Sequence, residues 1–472
     1  MAGIGFELRK LTRKDDLLGI FRAYTHATMA STGPWLFTVL AIGGITLAFS
    51  QYLAVNHLMN FRIVVIYNFG FSLVFAARVF MVVTRYLADS IHKKNVTHTP
   101  TVLFMSLGLM NLLLLPLSLF YYVWYVDLSV GMTVNAIANL VLISSVWVLG
   151  VFMTALKDYR SVTNAFAIGM LLAFLIAHSL RDEYGDVGML VGFNIGNAWI
   201  VFSLIAKVLA EYPYTLTRKT ELKKYYRRYW ELAVGGVFYN AAIWVDKWVM
   251  WIWAPQREML PSKMVFYPDY DSGMFLAYLT IVPAMAIFLF SVETNFFDRY
   301  RRFYYDILEH KPLATIKSNY KAIIESIWLS TRNFAVVQGT VCLVAILLAA
   351  QLFELLNINY HQIGIFRLGT LGAMFHVLVL FEMIVLSYFD CRRITMWIQL
   401  FFLLSNALLT YLTIGMGFTY YGYGYFLSSL LTFGLTTVVL YTHIQNLPYH
   451  AFITNNNSLK ASVKTDPVPA GA

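Results

Sequence analysis

Residues 211–231 read EYPYTLTRKTELKKYYRRYWE and form the longest polar interruption in the chain. On either side the sequence turns apolar at once, over residues 187–206 and 232–254, and about 20 apolar residues suffice to cross a bilayer as a helix. Moving outward toward the N-terminus, further apolar stretches lie near 161–180, 132–154, 101–125, 62–85 and 23–50. Toward the C-terminus they lie near 273–296, 327–355, 364–389, 394–417 and 422–445. The basic stretch therefore sits at the midpoint of the chain. The pattern predicts an all-α membrane protein with twelve transmembrane helices in two six-helix bundles. Its expected divisions are an amphipathic segment 1–22, a first bundle 23–211, a basic linker 212–231, a second bundle 232–446 and a tail 447–472. Equal halves joined by one loop suggest a duplicated transporter with its pathway at the interface between them.

Composition agrees with this reading. Of 472 residues, 59% are hydrophobic and 13% charged, against about 25% charged in a soluble globular domain. That excludes a cytosolic enzyme. Cys342 lies in an apolar run and Cys391 beside Arg392, so neither a disulfide framework nor a metal site is implied. Met1 to Leu18 is charged and lacks a small-residue cleavage site after a short apolar core, so no removable signal peptide is expected.

The net charge of +10 takes its meaning from where the bases lie. The N-terminus, the loops after even-numbered spans and the tail hold 26 Lys and Arg, whereas the alternate loops hold only Arg181, Arg257 and Lys263. By the positive-inside rule both termini are cytoplasmic. Ile4, Leu8, Leu11 and Leu18 share one helical face, with Arg9 and Lys10 elsewhere, which reads as an amphipathic helix on the inner leaflet. Lys223 to Trp230 mixes bases and aromatics, with Arg227 and Arg228 at its centre. At the end of a span this reads as a lipid-headgroup anchor rather than a nucleic-acid patch. With Tyr300 to Lys321, which carries Arg301 and Arg302, these segments are the surfaces large enough to dock a cytosolic partner.

Six bases remain within or beside the spans. Arg22, Arg62 and Arg367 lie near span ends and can snorkel. A charge inside the hydrocarbon costs roughly 2.5–3.5 kcal/mol on insertion scales, so it normally faces protein or water. Counted in from the cytoplasmic ends, Arg78, Glu293, Arg332 and Glu382 lie at similar depth and are expected to line an inward vestibule of mixed charge. Asp246 and Lys247 lie deeper, past the midplane of span seven. Neighbouring residues point about 100° apart on a helix, so these two are expected not to pair with each other. Either they touch polar cargo, with Asp246 a candidate carrier of a coupling proton, or adjacent helices neutralise them. His178 and His376 read as hydrogen-bonded packing residues.

Pro34, Pro116 and Pro283 interrupt spans one, three and eight, and the Gly33-Pro34 pair is the candidate hinge. The tyrosines Tyr267, Tyr270, Tyr420, Tyr421, Tyr423 and Tyr425 fit either an interfacial belt or a sugar-stacking surface. Asp269-Tyr270-Asp271 has the spacing of a metal-binding carboxylate pair, but the largest outer loop, Pro255 to Ser272, is too short to build a catalytic domain around it. The chain is therefore read as no enzyme, without catalytic residues, metal or cofactor.

The opening residues Met1 to Leu11, MAGIGFELRKL, followed by Ser31-Thr32-Gly33-Pro34-Trp35, resemble the PelG family. Similarity continues at Trp244 to Trp248, at Val292-Glu293-Thr294 and at Arg301 to Tyr305, and extends to about residue 450. The resemblance implies the multidrug, oligosaccharidyl-lipid and polysaccharide exporter superfamily: two bundles around a central cavity, in the bacterial inner membrane. It further implies export of an N-acetylhexosamine-rich biofilm polysaccharide. The implied partners are a cytosolic glycosyltransferase using a UDP-sugar and other inner-membrane Pel subunits, one responsive to cyclic di-GMP. Relatives that carry lipid diphosphates have strongly cationic cavities, whereas here the first six spans hold only Arg78 away from their ends. That departure favours a neutral or weakly charged sugar polymer.

Overall fold

The computed structural model describes residues 36–49, 55–217, 220–285, 296–356 and 358–454. The first half contains α1 (Leu36–Phe49), α2 (Val55–His92), α3 (Thr99–Leu119), α4 (Val130–Leu156) and a helical run Tyr159–Glu211. That last run holds two of the expected spans. Gly185 folds it back on itself with φ 53° and ψ −125°, a conformation that a residue with a Cβ resists. The products, α5 (159–184) and α6 (186–211), pack as an antiparallel hairpin through small residues. A Cβ added to Gly169 would lie 2.6 Å from the Ile200 side chain, so close approach of the backbones depends on glycine there.

The linker forms α7 (Leu222–Arg228). The second half follows with α8 (Trp230–Trp253), a short antiparallel pair β1 (Glu258–Met259) and β2 (Val265–Phe266), and α9 (Pro268–Leu279). Then come α10 (Phe297–Leu308), α11 (Leu313–Leu347), α12 (Ala349–Leu355), α13 (Ile363–Tyr388), α14 (Arg392–Met416) and α15 (Tyr423–Gln445). Among the described residues, eight helices are long and apolar enough to cross a membrane, counting Tyr159–Glu211 once.

Pro116 and Pro283 fall among the described residues. Pro116 lies inside α3 and is followed by a π-helical turn, Phe120–Tyr125. Upstream of Pro283, the α9 helix ends at Leu279 and helical geometry resumes at Val282. The Gln338 side chain donates to the freed Thr280 carbonyl at 3.2 Å, as an unwound segment inside a membrane protein requires. Gly33 and Pro34 lie outside the described residues.

The halves meet along a seam between α2 and α8. Tyr67 stacks on Trp251 at 4.8 Å and Phe71 on Trp248 at 5.4 Å. Gly70 leaves room for the Trp244 ring, which a Cβ would approach to 3.0 Å. At the end away from the basic linker, the β-hairpin reaches across to the first half. There Ser262 donates to the Asn60 side chain at 3.0 Å, Asp127 N–H donates to the Ser262 carbonyl at 3.1 Å and Tyr67 donates to the Val265 carbonyl at 2.6 Å.

Candidate functional site

The second half holds an ionic centre. Asp246 on α8 is fully buried and Lys247 is 9% exposed, and the lysine ammonium lies 3.3 Å from both carboxylate oxygens. The expectation that these neighbours cannot pair is thus corrected. The 100° offset separates their Cβ directions, but the four-carbon lysine stem curls back across it. Lys247 also donates to the Ile243 carbonyl at 3.3 Å and stands 4.7 Å from the centre of the Tyr278 ring, a cation–π contact strengthened by desolvation. Tyr270 on α9 donates to Asp246 at 2.9 Å. Beyond Tyr278, the Tyr425 ring lies at 5.6 Å. Its hydroxyl is 2.8 Å from His376 Nδ1, and His376 Nε2 is 3.0 Å from the Tyr239 hydroxyl. Helices α8, α9, α13 and α15 therefore converge on one buried set of an acid, a base, a histidine and four tyrosines.

The first half uses neutral amides instead. Tyr122 donates to Asn68 at 2.7 Å, Asn68 donates to Asn139 at 2.9 Å, Asn139 donates to Asn194 at 2.8 Å, and Asn194 donates to the Asn135 carbonyl at 2.9 Å. Each member can donate and accept, so the ladder crosses α2, the π-helical turn after α3, α4 and α6 without a net charge. A search confined to ionisable residues passes over it. Its signal in the sequence is asparagine recurring within apolar spans.

At the basic end, Tyr229 closes the seam. Its ring lies 5.1 Å from the Arg85 guanidinium, 5.4 Å from that of Arg228 and 4.8 Å from that of Arg392, residues from the first half, the linker and the second half. Arg85 contacts Asp89 at 3.3 Å and Asp390 at 4.0 Å. Arg393 pairs with the buried Glu231 at 3.2 Å. Tyr225 donates to Asp89 at 3.1 Å, and burial together with that carboxylate pushes its phenol up to about 12. Arg227 is exposed.

The vestibule expected from equal depth is not gathered into one place. Arg78 is half-buried over the Phe75 ring at 5.2 Å and interacts with Tyr226 of α7. Glu382 is buried and accepts from Thr437 on α15 at 2.8 Å. Arg332 is exposed, with Asn333 as its neighbour at 3.4 Å. Counting from a helix end gives height but not direction around the axis, and the three point into different surroundings. Glu293, Arg9 and Lys10 lie outside the described residues. Arg62, expected only to snorkel, lies close enough to Asp271 to interact with its charge. Both carboxylates of the Asp269-Tyr270-Asp271 motif are engaged within the protein: Asp269 accepts from Gln362 at 2.8 Å, and Asp271 accepts from Trp251 at 2.9 Å and from the Tyr267 N–H at 3.1 Å. Tyr267, Tyr270, Tyr421 and Tyr425 are fully buried, so they offer no sugar-stacking face, whereas Tyr420 and Tyr423 remain exposed. Arg301 and Arg302 are exposed on α10.

Residues 1–452 match the family model described as "PelG: Putative exopolysaccharide Exporter (EPS-E)". No curated protein matches the chain. Among solved structures, the fold is similar to an outward-facing multidrug resistance MATE family transporter of the MOP superfamily, with TM-score 0.65, 13% identity, and 90% of this chain and 96% of that chain covered. An inward-facing structure of such a transporter gives TM-score 0.58, 12% identity and coverages of 86% and 95%. A MOP superfamily transporter from Pyrococcus furiosus gives TM-score 0.62, 12% identity and coverages of 89% and 96%. The fold is therefore that of the MATE-like transporters.

Proposed function

Since the chain belongs to the PelG exopolysaccharide exporter family, we propose that it moves a Pel-type, N-acetylhexosamine-rich polysaccharide across the bacterial inner membrane during biofilm matrix production. In this reading twelve spans form two bundles with both termini cytoplasmic, the polymer passes between the bundles, and a cytosolic UDP-sugar-dependent glycosyltransferase supplies it. Other inner-membrane Pel subunits, one of them cyclic di-GMP-responsive, complete the assembly.

The observation that carries the choice of cargo is the unequal chemistry of the halves. The first half is built around uncharged amides and the second around one ion pair whose charges largely cancel. Among the described residues, neither the amide ladder nor the Asp246–Lys247 centre gathers several bases of the kind a pyrophosphate calls for, whereas hydroxyls and amides of a sugar polymer need only neutral donors and acceptors. A strain lacking the gene is expected to lose secreted polymer while its lysate still polymerises the UDP-sugar. Normal secretion by that strain would sink the reading. The buried Asp246–Lys247 pair and the MATE-like fold support a second reading, a cation-coupled flippase for lipid-linked oligosaccharide or small amphiphiles. Accumulation of a lipid-linked intermediate in the deletion strain would favour it.

A further inference from the structure

Outside the ionic centre and the amide ladder, the α5–α6 hairpin holds a groove at its basic end. Gly169 faces Ile200 and Gly192 faces Ala177 across the hairpin. In that register Ser161 stands level with Lys207, Asn164 with Ser203 and Ile168 with Trp199. These six residues line a cavity of about 360 Å³, a volume typical of a small-molecule site. Its chemistry changes in order along the two helices. Charge lies at the mouth, uncharged hydrogen-bonding groups come next, and apolar surface follows about 10 Å further in, at 1.5 Å per residue from Ser161 to Ile168. The inner end opens sideways: Ile168 is 45% exposed and Trp199 44%, and both run on into the exposed Leu171 and Phe202. On a membrane protein such a surface faces acyl chains.

The middle level lacks internal partners. On neighbouring α4, Ser144 and Ser145 return their hydroxyls to the Val141 carbonyl at 2.9 and 2.7 Å, the usual arrangement for a serine within a helix. Neither the Asn164 amide nor the Ser203 hydroxyl has a hydrogen-bond partner among the described residues, though both line the groove. Free donors beside apolar surface call for acceptors on whatever fills the groove, and the ester carbonyls of a lipid lie at this level, between headgroup and chains. At the mouth, the Lys207 ammonium lies 3.0 Å from Asp158 and within electrostatic reach of Glu211. Arg160 is exposed one turn before Asn164 on the same helical face. Bases and carboxylates are therefore mixed there. An ammonium has three donors, so Lys207 can serve a phosphate as well as Asp158. A headgroup carrying only a phosphate would meet two carboxylates, and a choline offers them no N–H. A phosphate followed by a primary ammonium complements both signs. A soluble ligand of that kind would use the mouth alone, whereas a lipid uses all three levels.

We propose that this groove binds one phosphatidylethanolamine-type lipid from the leaflet at the basic end. Its phosphate lies on Lys207, its ammonium on Asp158 and Glu211, its ester carbonyls on Asn164 and Ser203, and one chain along Ile168 and Trp199. The test titrates the delipidated full-length protein in detergent with dioleoyl phosphatidylethanolamine, phosphatidylglycerol or phosphatidylcholine and counts bound lipid by native mass spectrometry. One phosphatidylethanolamine is expected to bind at least about fivefold more tightly than either of the others, through its charge-assisted hydrogen bonds. Asn164→Ala/Ser203→Ala should weaken it about tenfold, the equivalent of two hydrogen bonds. Those side chains have no partner in the protein, so this variant should keep the wild-type unfolding midpoint. Asp158→Asn/Glu211→Gln, which retains a capping side chain on α5, should abolish the preference for phosphatidylethanolamine over phosphatidylglycerol. One equivalent of phosphatidylethanolamine with brominated chains should quench a fluorescence component that Trp199→Phe removes. Equal affinity for the three lipids, undiminished binding by the Asn164/Ser203 variant, or quenching unchanged in Trp199→Phe overturns the proposal. Tighter binding of phosphatidylglycerol also overturns it and assigns the mouth to anionic headgroups.

Discussion

Removing one member of the Asp246–Lys247 pair tests whether this centre is structural, functional or both. In Lys247→Met the fully buried Asp246 carboxylate keeps a single side-chain donor, the Tyr270 hydroxyl at 2.9 Å. Breaking a buried ion pair from one side costs about 3–5 kcal/mol, and a retained hydrogen bond to a charged group recovers part of this, so about 3 kcal/mol is expected. Asp246→Asn leaves the ammonium with the Ile243 carbonyl and the Tyr278 ring, contacts worth about 2 kcal/mol when desolvated. Its loss should be nearer 2 kcal/mol. The double variant Asp246→Asn/Lys247→Met removes both charges and should fall within about 1 kcal/mol of wild type. The assay is reversible unfolding of the purified protein in mixed micelles of increasing denaturing detergent, read as a double-mutant cycle. If the two single losses simply add in the double variant, the pair is not coupled and the reasoning fails. Export by the double variant then separates the roles. A folded double variant that exports normally confines the pair to packing, and one that folds but does not export assigns the charges to transport.

Three further outcomes follow from other contacts. Tyr229→Ala removes three cation–π contacts at the basic end of the seam, each worth about 0.5–1 kcal/mol at a partly exposed site, and should increase alkylation of a cysteine placed at Met81, the α2 residue that packs over Gly236 of α8; unchanged labelling would show that Tyr229 does not hold this end shut. A disulfide between Asn60→Cys and Ser262→Cys, whose native side chains meet at 3.0 Å, should leave export intact, and its loss on oxidation with recovery on reduction would show that this end must part. Asp158, in the loop between α4 and α5, is held below its ordinary value: burial raises it, but the Ser161 hydroxyl and N–H and the Lys207 ammonium together outweigh that. A depressed carboxyl contributes stability above its unfolded value of about 3.9 and loses it as pH falls through the folded value, so Asp158→Asn should flatten the acid side of the unfolding-midpoint profile, and an unchanged profile would refute the assignment.

Much of the fold is legible because each span is written as a continuous apolar run, and the α5–α6 turn falls where Arg181 and Asp182 interrupt one. The site is less legible, since the sequence gives depth along a helix but not the direction a side chain takes around it. Arg78, Arg332 and Glu382 share a depth, yet one lies against α7, one is exposed and one is turned toward α15. The Asp246–Lys247 pairing was hidden for a related reason: backbone periodicity fixes Cβ directions, and a lysine has four further carbons with which to return. The buried tyrosines were ambiguous because an interfacial ring and a core ring with a bonded hydroxyl have the same composition. Tyr270 is identified as the latter only by its 2.9 Å bond to Asp246. No member of the amide ladder is charged, so nothing in the charge pattern marks it.

The seam constrains how the two halves can move. Its two ring stacks, Tyr67–Trp251 and Phe71–Trp248, contribute about 0.5–1.5 kcal/mol each, and the three guanidinium contacts at Tyr229 contribute about 0.5–1 kcal/mol each. Parting α2 from α8 along its whole length would also expose the hydrogen bonds of the β-hairpin to the first half, at about 1 kcal/mol apiece. Together these exceed the roughly 1–3 kcal/mol that coupling between ligand sites typically supplies. A rotation that keeps this line in contact and separates the halves elsewhere loses none of them. The same comparison explains why the ionic centre belongs on α8: Asp246 and Lys247 sit on the helix that forms the seam, while their partners Tyr270 and Tyr278 lie on the segment preceding the break at Thr280. The ion pair and its tyrosine partners therefore tie a helix of the seam to a segment that ends in a break.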